Sequence, residues 1–174
     1  MDIYWTDFRH RDWQLIIAAT DKGICYISPN QSTFGELNEW QKKRLPQAVL
    51  HENPEKLAPW TQELAAYMDG SLKKFSMPVD LHGTAFQQDV WNALQQIPYG
   101  STKNYAEIAE LIGKPNAVRA VGGAIGANPI LIAVPCHRVI GKNGKLTGFR
   151  GGLEMKECLL TLEEASGLPS MAEA

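Results

Sequence analysis

Ala117-Val118-Arg119-Ala120-Val121-Gly122-Gly123-Ala124-Ile125-Gly126-Ala127, followed by Asn128-Pro129 and then by Pro135-Cys136-His137-Arg138, decides how this chain folds. Pro115-Asn116 opens the first run and Asn128-Pro129 closes it, so it reads as a short helix between two breakers. Before it, Tyr105, Ile108, Ala109 and Ile112 recur at helical spacing with Gly113 as the stop, predicting a helix capped by Ser101 or Thr102. Two short helices joined by a tight glycine-containing turn are a helix-turn-helix. Adjacent glycines inside the second helix cost roughly 1 kcal/mol each relative to alanine, so something must compensate. Either another backbone packs on Gly122-Gly123, or a bulky ligand lies against it. A smooth helix with one protruding Arg119 suits a DNA minor groove; plain core packing is the other reading.

Downstream, Ile130 to Ile140 is apolar and β-prone except at Pro135-Cys136-His137-Arg138, which predicts an extended segment. A hairpin turn at Lys142-Asn143-Gly144, a glycine-rich loop from Thr147 to Gly152 and a helix from Leu153 to about Ala165 follow, with a frayed tail beyond Gly167. Upstream, Thr84 caps a helix carrying Phe86, Val90, Leu94 and Ile97. Ser71 to Gly83 reads as a linker. Residues 55–69 read as a helix through Leu57, Trp60, Leu64 and Tyr67, and Asp21-Lys22-Gly23 joins two β-prone runs, Trp13 to Thr20 and Ile24 to Ser28. The expected organisation is an α/β domain over residues 1–77 and a mainly α domain over residues 78–174.

Apolar residues make up 44% and charged residues 21% of the 174, an ordinary globular composition. There is no apolar run of 18 residues and no signal-peptide pattern at Met1-Asp2-Ile3-Tyr4-Trp5, so a cytoplasmic protein away from membranes is expected. Cys25, Cys136 and Cys158 form no Cys-x-x-Cys pair, and free thiols in a reducing compartment fit better than disulfides. The net charge of −2 conceals an asymmetry. Lys103, Lys114, Arg119, Arg138, Lys142, Lys145, Arg150 and Lys156 face only Glu107, Glu110 and Glu154 between residues 101 and 156. A basic region on an acidic chain is a phosphate-binding footprint or a solvated mixed surface.

Cys25 and Cys158 read as buried structural thiols. Cys136 differs, because His137 and Arg138 adjoin it and nearby positive charge favours thiolate. Neighbours on an extended segment point to opposite faces, so a bridging water is the expected path between thiol and imidazole. The imidazole needs an acid on its other nitrogen, and Glu154, Glu157, Glu163 and Glu164 are the candidates, Glu163 the preferred one. His10, Cys25, His51 and His82 lack metal-ligand spacing, so neither metal nor cofactor is expected.

Pro135-Cys136-His137-Arg138-Val139, preceded by Arg119-Ala120-Val121-Gly122-Gly123-Ala124 and Asn128-Pro129, resembles the O6-alkylguanine-DNA alkyltransferases, from about Thr84 to Glu163. The resemblance implies a ribonuclease H-like fold for the N-terminal domain. It implies one-time transfer of an alkyl group from O6 of guanine, and also from O4 of thymine, to Cys136, within double-stranded DNA and by a monomer. His137 would deprotonate Cys136 through water, Glu163 would orient His137, and Asn128 would sit in the hinge. Tyr105 would rotate the nucleotide and donate to guanine N3, while Arg119 would fill the space left by the flipped base. Thr102, Tyr105, Ala120, Gly123 and Ala127 would join Arg119 against DNA. Ile125, Val139, Phe149 and Arg150 would line the pocket, with the carbonyls of Cys136 and Val139 receiving the guanine amino group and the Arg150 amide reaching O6.

Phe149 stands where the family usually has Tyr, Arg150 where a small residue is usual, Gly126 where some members have Arg, and Cys158 where Trp is usual. The Arg150 side chain would narrow the pocket or touch a phosphate. Two other readings of the residues stay open: a DNA-binding sensor with an oxidisable Cys136, and a Cys-His-Glu hydrolase acting repeatedly on a small molecule.

Overall fold

The computed structural model describes residues 1–167; the tail expected to fray lies outside them. β1 (Asp2–His10), β2 (Trp13–Thr20) and β3 (Gly23–Ile27) form an antiparallel meander, and β4 (Val49–Glu52) pairs in parallel with β1, in the order β3-β2-β1-β4. The hairpin expected around Asp21-Lys22-Gly23 is present. β2 is apolar almost throughout because both its faces are covered, as successive side chains alternate. Ile16 and Ala18 join Ile3, Cys25 and Tyr26 under Leu37 of α1 (Phe34–Arg44). Leu15, Ile17 and Ala19 face the other way, onto Leu57, Trp60 and Leu64 of α2 (Pro54–Met68).

That second core continues without a break into the C-terminal half, through Val90, Trp91, Val121 and Leu159. The outer edge of β3 is covered by two strips of chain rather than left open to pairing. Ile24 N donates to Pro78 O at 3.1 Å and Asp80 N to Ile24 O at 2.7 Å, so the expected linker is partly tied down. Ile27 N donates to Pro129 O at 2.9 Å, docking the segment after the helix-turn-helix on the sheet.

Thr84 caps α3 (Ala85–Leu94) through a reciprocal pair with Gln87. Trp91 Nε1 donates to Ala124 O at 2.8 Å, pinning α3 across α5 (Val118–Gly126). The cap of α4 (Tyr105–Leu111) is Asn104, paired reciprocally with Glu107, and neither Ser101 nor Thr102 serves. The reason lies in β5 (Lys103–Asn104), which is bound in parallel to β6 (Val139–Ile140) and keeps the chain extended until Asn104. α6 (Leu153–Gly167) closes the fold. Among the described residues no helix is long and apolar enough to cross a membrane.

Ile130 to Ile140 is not the extended segment expected. Ile130 makes one bridge to Ile27, residues 131–133 turn, and Cys136–Arg138 form one 3-10 turn before the two residues of β6. Pro129 and Pro135 have no N–H to give a ladder, and the Asn128 side chain takes the loop's polar groups instead. Ile132 sits at φ +72°, a costly conformation for a β-branched residue, on the approach to Cys136. The turn after β6 forms as expected, with Gly144 at φ +81° and its N–H on Gly141 O at 2.8 Å, but β6 pairs with β5.

Candidate active site

Asn128, fully buried, is the post around which the reactive loop is wound. Its Oδ1 accepts from Ile130 N at 2.9 Å, and its Nδ2 donates to Val134 O at 2.8 Å and to Cys136 Sγ at 3.1 Å. An amide is the right group here, because it accepts on one side and donates on the other. Cys136 thus lies at the mouth of a 3-10 turn with a hydrogen-bond donor aimed at its sulfur. His137, next in the turn, points elsewhere: its Nε2 donates to Glu163 Oε2 at 2.7 Å, and its buried Nδ1 has no protein partner among the described residues. Of the four candidate glutamates, Glu163 is the buried one that meets the imidazole.

Glu163 has more partners than the sequence suggested. Arg138 grips it with two bonds, Nε to Oε1 at 2.8 Å and Nη2 to Oε2 at 2.9 Å, while Nη1 donates to Ile97 O at 2.7 Å. Tyr67, from α2, donates to Oε2 at 2.5 Å. The cation beside Cys136 is therefore spent on the carboxylate rather than on sulfur. Tyr67 left no signal, since its partner lies 96 residues away. Lys156 left one: it shares the inward stripe of α6 with Met155, Leu159 and Glu163. It is buried, and its Nζ donates to Val139 O at 2.5 Å and Thr147 O at 3.2 Å.

Burial pushes the Cys136 thiol above its ordinary value of 9.0; the Asn128 donor and the charges of Arg150 and Lys156 oppose this and lose. The resting group is a thiol, which the neighbouring positive charge does not ionise, so a base must take its proton. Burial lowers the His137 imidazole below 6.5 and outweighs the pull of Glu163, so His137 is neutral at pH 7 and able to serve. Burial alone would raise the Glu163 carboxyl, but the hydrogen bonds from His137, Arg138 and Tyr67 prevail and hold it at about 2.

Tyr105 is half-buried on α4, and its hydroxyl shares a 2.6 Å hydrogen bond with Thr147 Oγ1. If Thr147 donates, the Tyr105 proton is free for another acceptor. Val139 and Ile125 are buried, and Phe149 is half-buried, its ring against Gly151. The Cys136 carbonyl accepts from Val139 N, and that of Val139 from Lys156. The Arg150 side chain neither narrows a pocket nor reaches out for phosphate. It bonds Asn128 O at 2.9 Å, Ile27 O at 2.6 Å and Glu36 Oε1 at 2.8 Å, fastening the chain after α5 to the sheet and to α1.

Arg119, Ala120, Gly123 and Gly126 are exposed on α5, with Ala127 half-buried at its end, and Thr102 is exposed just before β5. Neither of the paired glycines is required by packing. A Cβ at Gly122 would meet the Tyr105 ring at an ordinary 3.8 Å, and one at Gly123 would meet nothing within 4 Å. No neighbour among the described residues therefore accounts for the pair. The basic count of this half overstates its outward charge, because Arg138, Arg150 and Lys156 are committed inside, leaving Lys114, Arg119, Lys142 and Lys145 exposed. All three cysteines are free; Cys158, expected to be buried, is exposed on the outer side of α6. No group of three potential metal ligands occurs among the described residues.

Residues 3–81 match the 6-O-methylguanine DNA methyltransferase ribonuclease-like domain, and residues 85–165 match that family's DNA-binding domain. An inducible methylated-DNA–protein-cysteine methyltransferase of Bacillus subtilis is 54% identical over 93% of this chain and 90% of its own length. A second such protein, from Methanosarcina acetivorans, is 44% identical over 92% and 98%. The crystal structure of Mycobacterium tuberculosis OGT in complex with DNA superposes with a TM-score of 0.77 at 39% identity, covering 95% of this chain and 94% of that one. With the ribonuclease-like sheet, the helix-turn-helix and the Cys136 loop in one continuous match, this chain belongs to the methylated-DNA–protein-cysteine methyltransferase family.

Proposed function

We propose that this protein, acting as a monomer, repairs double-stranded DNA by transferring the alkyl group of O6-alkylguanine to Cys136, once per molecule. The observation that carries the reading is the buried Cys136 thiol held at 3.1 Å by Asn128, with His137 next to it in the same 3-10 turn and bonded to Glu163 of α6. Residues 78–174 supply the reactive loop and the DNA-binding helices, and residues 1–77 form the α/β domain behind them. An alkyl carbon on an aromatic ether oxygen is a poor electrophile, so the nucleophile must be thiolate. His137 Nδ1 takes the Cys136 proton through a bridging water, and Glu163 holds the imidazole and stabilises its charge. The sulfur attacks the alkyl carbon, the carbon–O6 bond breaks, and its electron pair enters the guanine ring. Tyr105, donating to N3, meets that charge, and the Arg150 amide meets it at O6.

The target base must leave the stack, at a cost of a few kcal/mol. The glycine-smooth face of α5 enters the minor groove, and Arg119 takes the place of the flipped nucleotide. Arg119→Ala is expected to weaken action on duplex by about 1–3 kcal/mol, the value of one stacking contact. On a free O6-alkylguanine base, where nothing is flipped, the loss should nearly vanish. Rates on both substrates decide this, and equal losses would remove Arg119 from the flipping role.

A thioether on Cys136 has no leaving group for water to displace, and thiol exchange acts on disulfides rather than on a carbon–sulfur bond. Mixed with excess O6-methylguanine DNA, the protein should gain one methyl mass on the Cys136 peptide and stop near one equivalent, as mass spectrometry can follow. Continued turnover with Cys136 unmodified would favour a hydrolase instead.

A further inference from the structure

Glu163 Oε2 is the atom on which the two halves of the molecule meet. It accepts from His137 Nε2 at 2.7 Å, from Arg138 Nη2 at 2.9 Å and, across the domain seam, from Tyr67 Oη at 2.5 Å. Tyr67 is fully buried on α2 and makes no other side-chain hydrogen bond among the described residues. Its ring is seated against Phe75 and edge-on to Tyr99, so the hydroxyl is delivered to the carboxylate by packing. A buried tyrosine hydroxyl needs a partner, but satisfying it did not require the one oxygen that the imidazole uses.

We propose that Tyr67 is a positioning residue that sets the basicity of His137 by sharing the Glu163 oxygen with it. The proposal rests on the reading of His137 as the base for Cys136. A carboxylate oxygen that accepts several donors offers less negative charge to each. The Tyr67 hydroxyl proton also lies beside the Nε2–H of His137, on the same acceptor, and opposes a second proton on the ring. Both effects hold the imidazole in its neutral form. Arg138 supplies the fixed charge that keeps Glu163 ionised, whereas Tyr67 adjusts how strongly that carboxylate attracts an imidazolium. The groups facing the His137–Glu163 pair are Arg138 from the 3-10 turn, Lys156 from α6 and Tyr67 from α2, with Tyr99, after α3, set against Tyr67. Of these, Tyr67 comes from the N-terminal half, which thereby becomes part of the chemistry as well as a support for it.

Tyr67→Phe removes one hydroxyl and keeps the ring, so the fold should survive. In the full-length variant the His137 titration midpoint, read by NMR of the imidazole carbons, should rise by roughly 0.5–1 pH unit. The acid limb of the pH–rate profile for methyl transfer should move up with it. Tyr99→Phe is the control, since the Tyr99 hydroxyl is buried without a hydrogen-bond partner among the described residues. An unchanged midpoint in Tyr67→Phe overturns the proposal, as does an equal rise in Tyr99→Phe, which would trace the shift to packing. The NMR titration needs no transfer activity, so it judges Tyr67 separately. Failure of the wild-type chain to take up methyl would count against the proposed function alone.

Discussion

A chain carrying Cys136→Ala is expected to transfer no methyl group at all while still binding O6-methylguanine duplex. Asn128 organises the loop through Ile130 N and Val134 O as well as through sulfur, so two of these bonds survive the substitution. Loss of a single buried atom should cost about 1 kcal/mol in stability, too little to unfold a domain. The exposed face of α5 is untouched. Binding, read by gel mobility shift, and transfer, read by mass spectrometry, should therefore separate completely. No neighbour can stand in for the missing nucleophile: Cys25 is buried in the core between the sheet and α1, and Cys158 is exposed on α6. Methyl transfer persisting in this variant would remove Cys136 from the centre of the chemistry.

The C-terminal half was the more legible because its signals are local. Thr84, the periodicity of Phe86, Val90 and Leu94, the stop at Gly113 and the breakers around α5 all act within a turn or two of the element they delimit. Glu163 was reachable for a related reason, as it lies on the inward stripe of an amphipathic helix. The N-terminal half was harder. β1 alternates irregularly, its burial interrupted by half-buried Tyr4 and Trp5, and β4 is mostly exposed, so neither carries a clean period of two. α1 has charged residues over much of its surface and buries only Leu37 and Gln41, leaving almost no apolar stripe to read.

The errors at the site share a cause. The extended reading of Ile130 to Ile140 weighed propensity and could not weigh Asn128, whose side chain replaces the ladder with a wound loop. The charge of Arg138 and Arg150 was counted, but the destination of each guanidinium was not. Arg138 ends on Glu163, 25 residues on, and Arg150 ends on Glu36, 114 residues back. Sequence separation of that size leaves no pattern in a single chain. It is also why Tyr67 appeared only as one member of a core stripe on α2.

Glu163→Ala should produce the largest loss of stability of any single change at the site. Arg138 and His137 are buried, and both depend on this carboxylate. Removing one member of a buried, hydrogen-bonded ion pair typically costs 3–5 kcal/mol, because the remaining charge is left without compensation. Urea denaturation at pH 7 should show a loss of about that size, and Glu163→Gln, which keeps the shape, a smaller one. The pH dependence separates charge from packing. In the folded chain the Glu163 carboxyl titrates at about 2 against 4.5 when free, so its contribution, about 3 kcal/mol, is complete above 4.5 and is lost as pH falls toward 2. His137 acts in the same direction: its folded value is lowered, so the unfolded chain takes up the proton first and stability declines as pH drops below 6.5. The wild-type protein should therefore lose stability progressively from pH 6.5 downward, most steeply between 4.5 and 2. In Glu163→Ala the steep lower segment should be missing, and the two stability curves should converge in acid. Parallel curves from pH 7 to pH 3 would mean that Glu163 holds the fold by shape, and that its charge is incidental to His137 and Arg138.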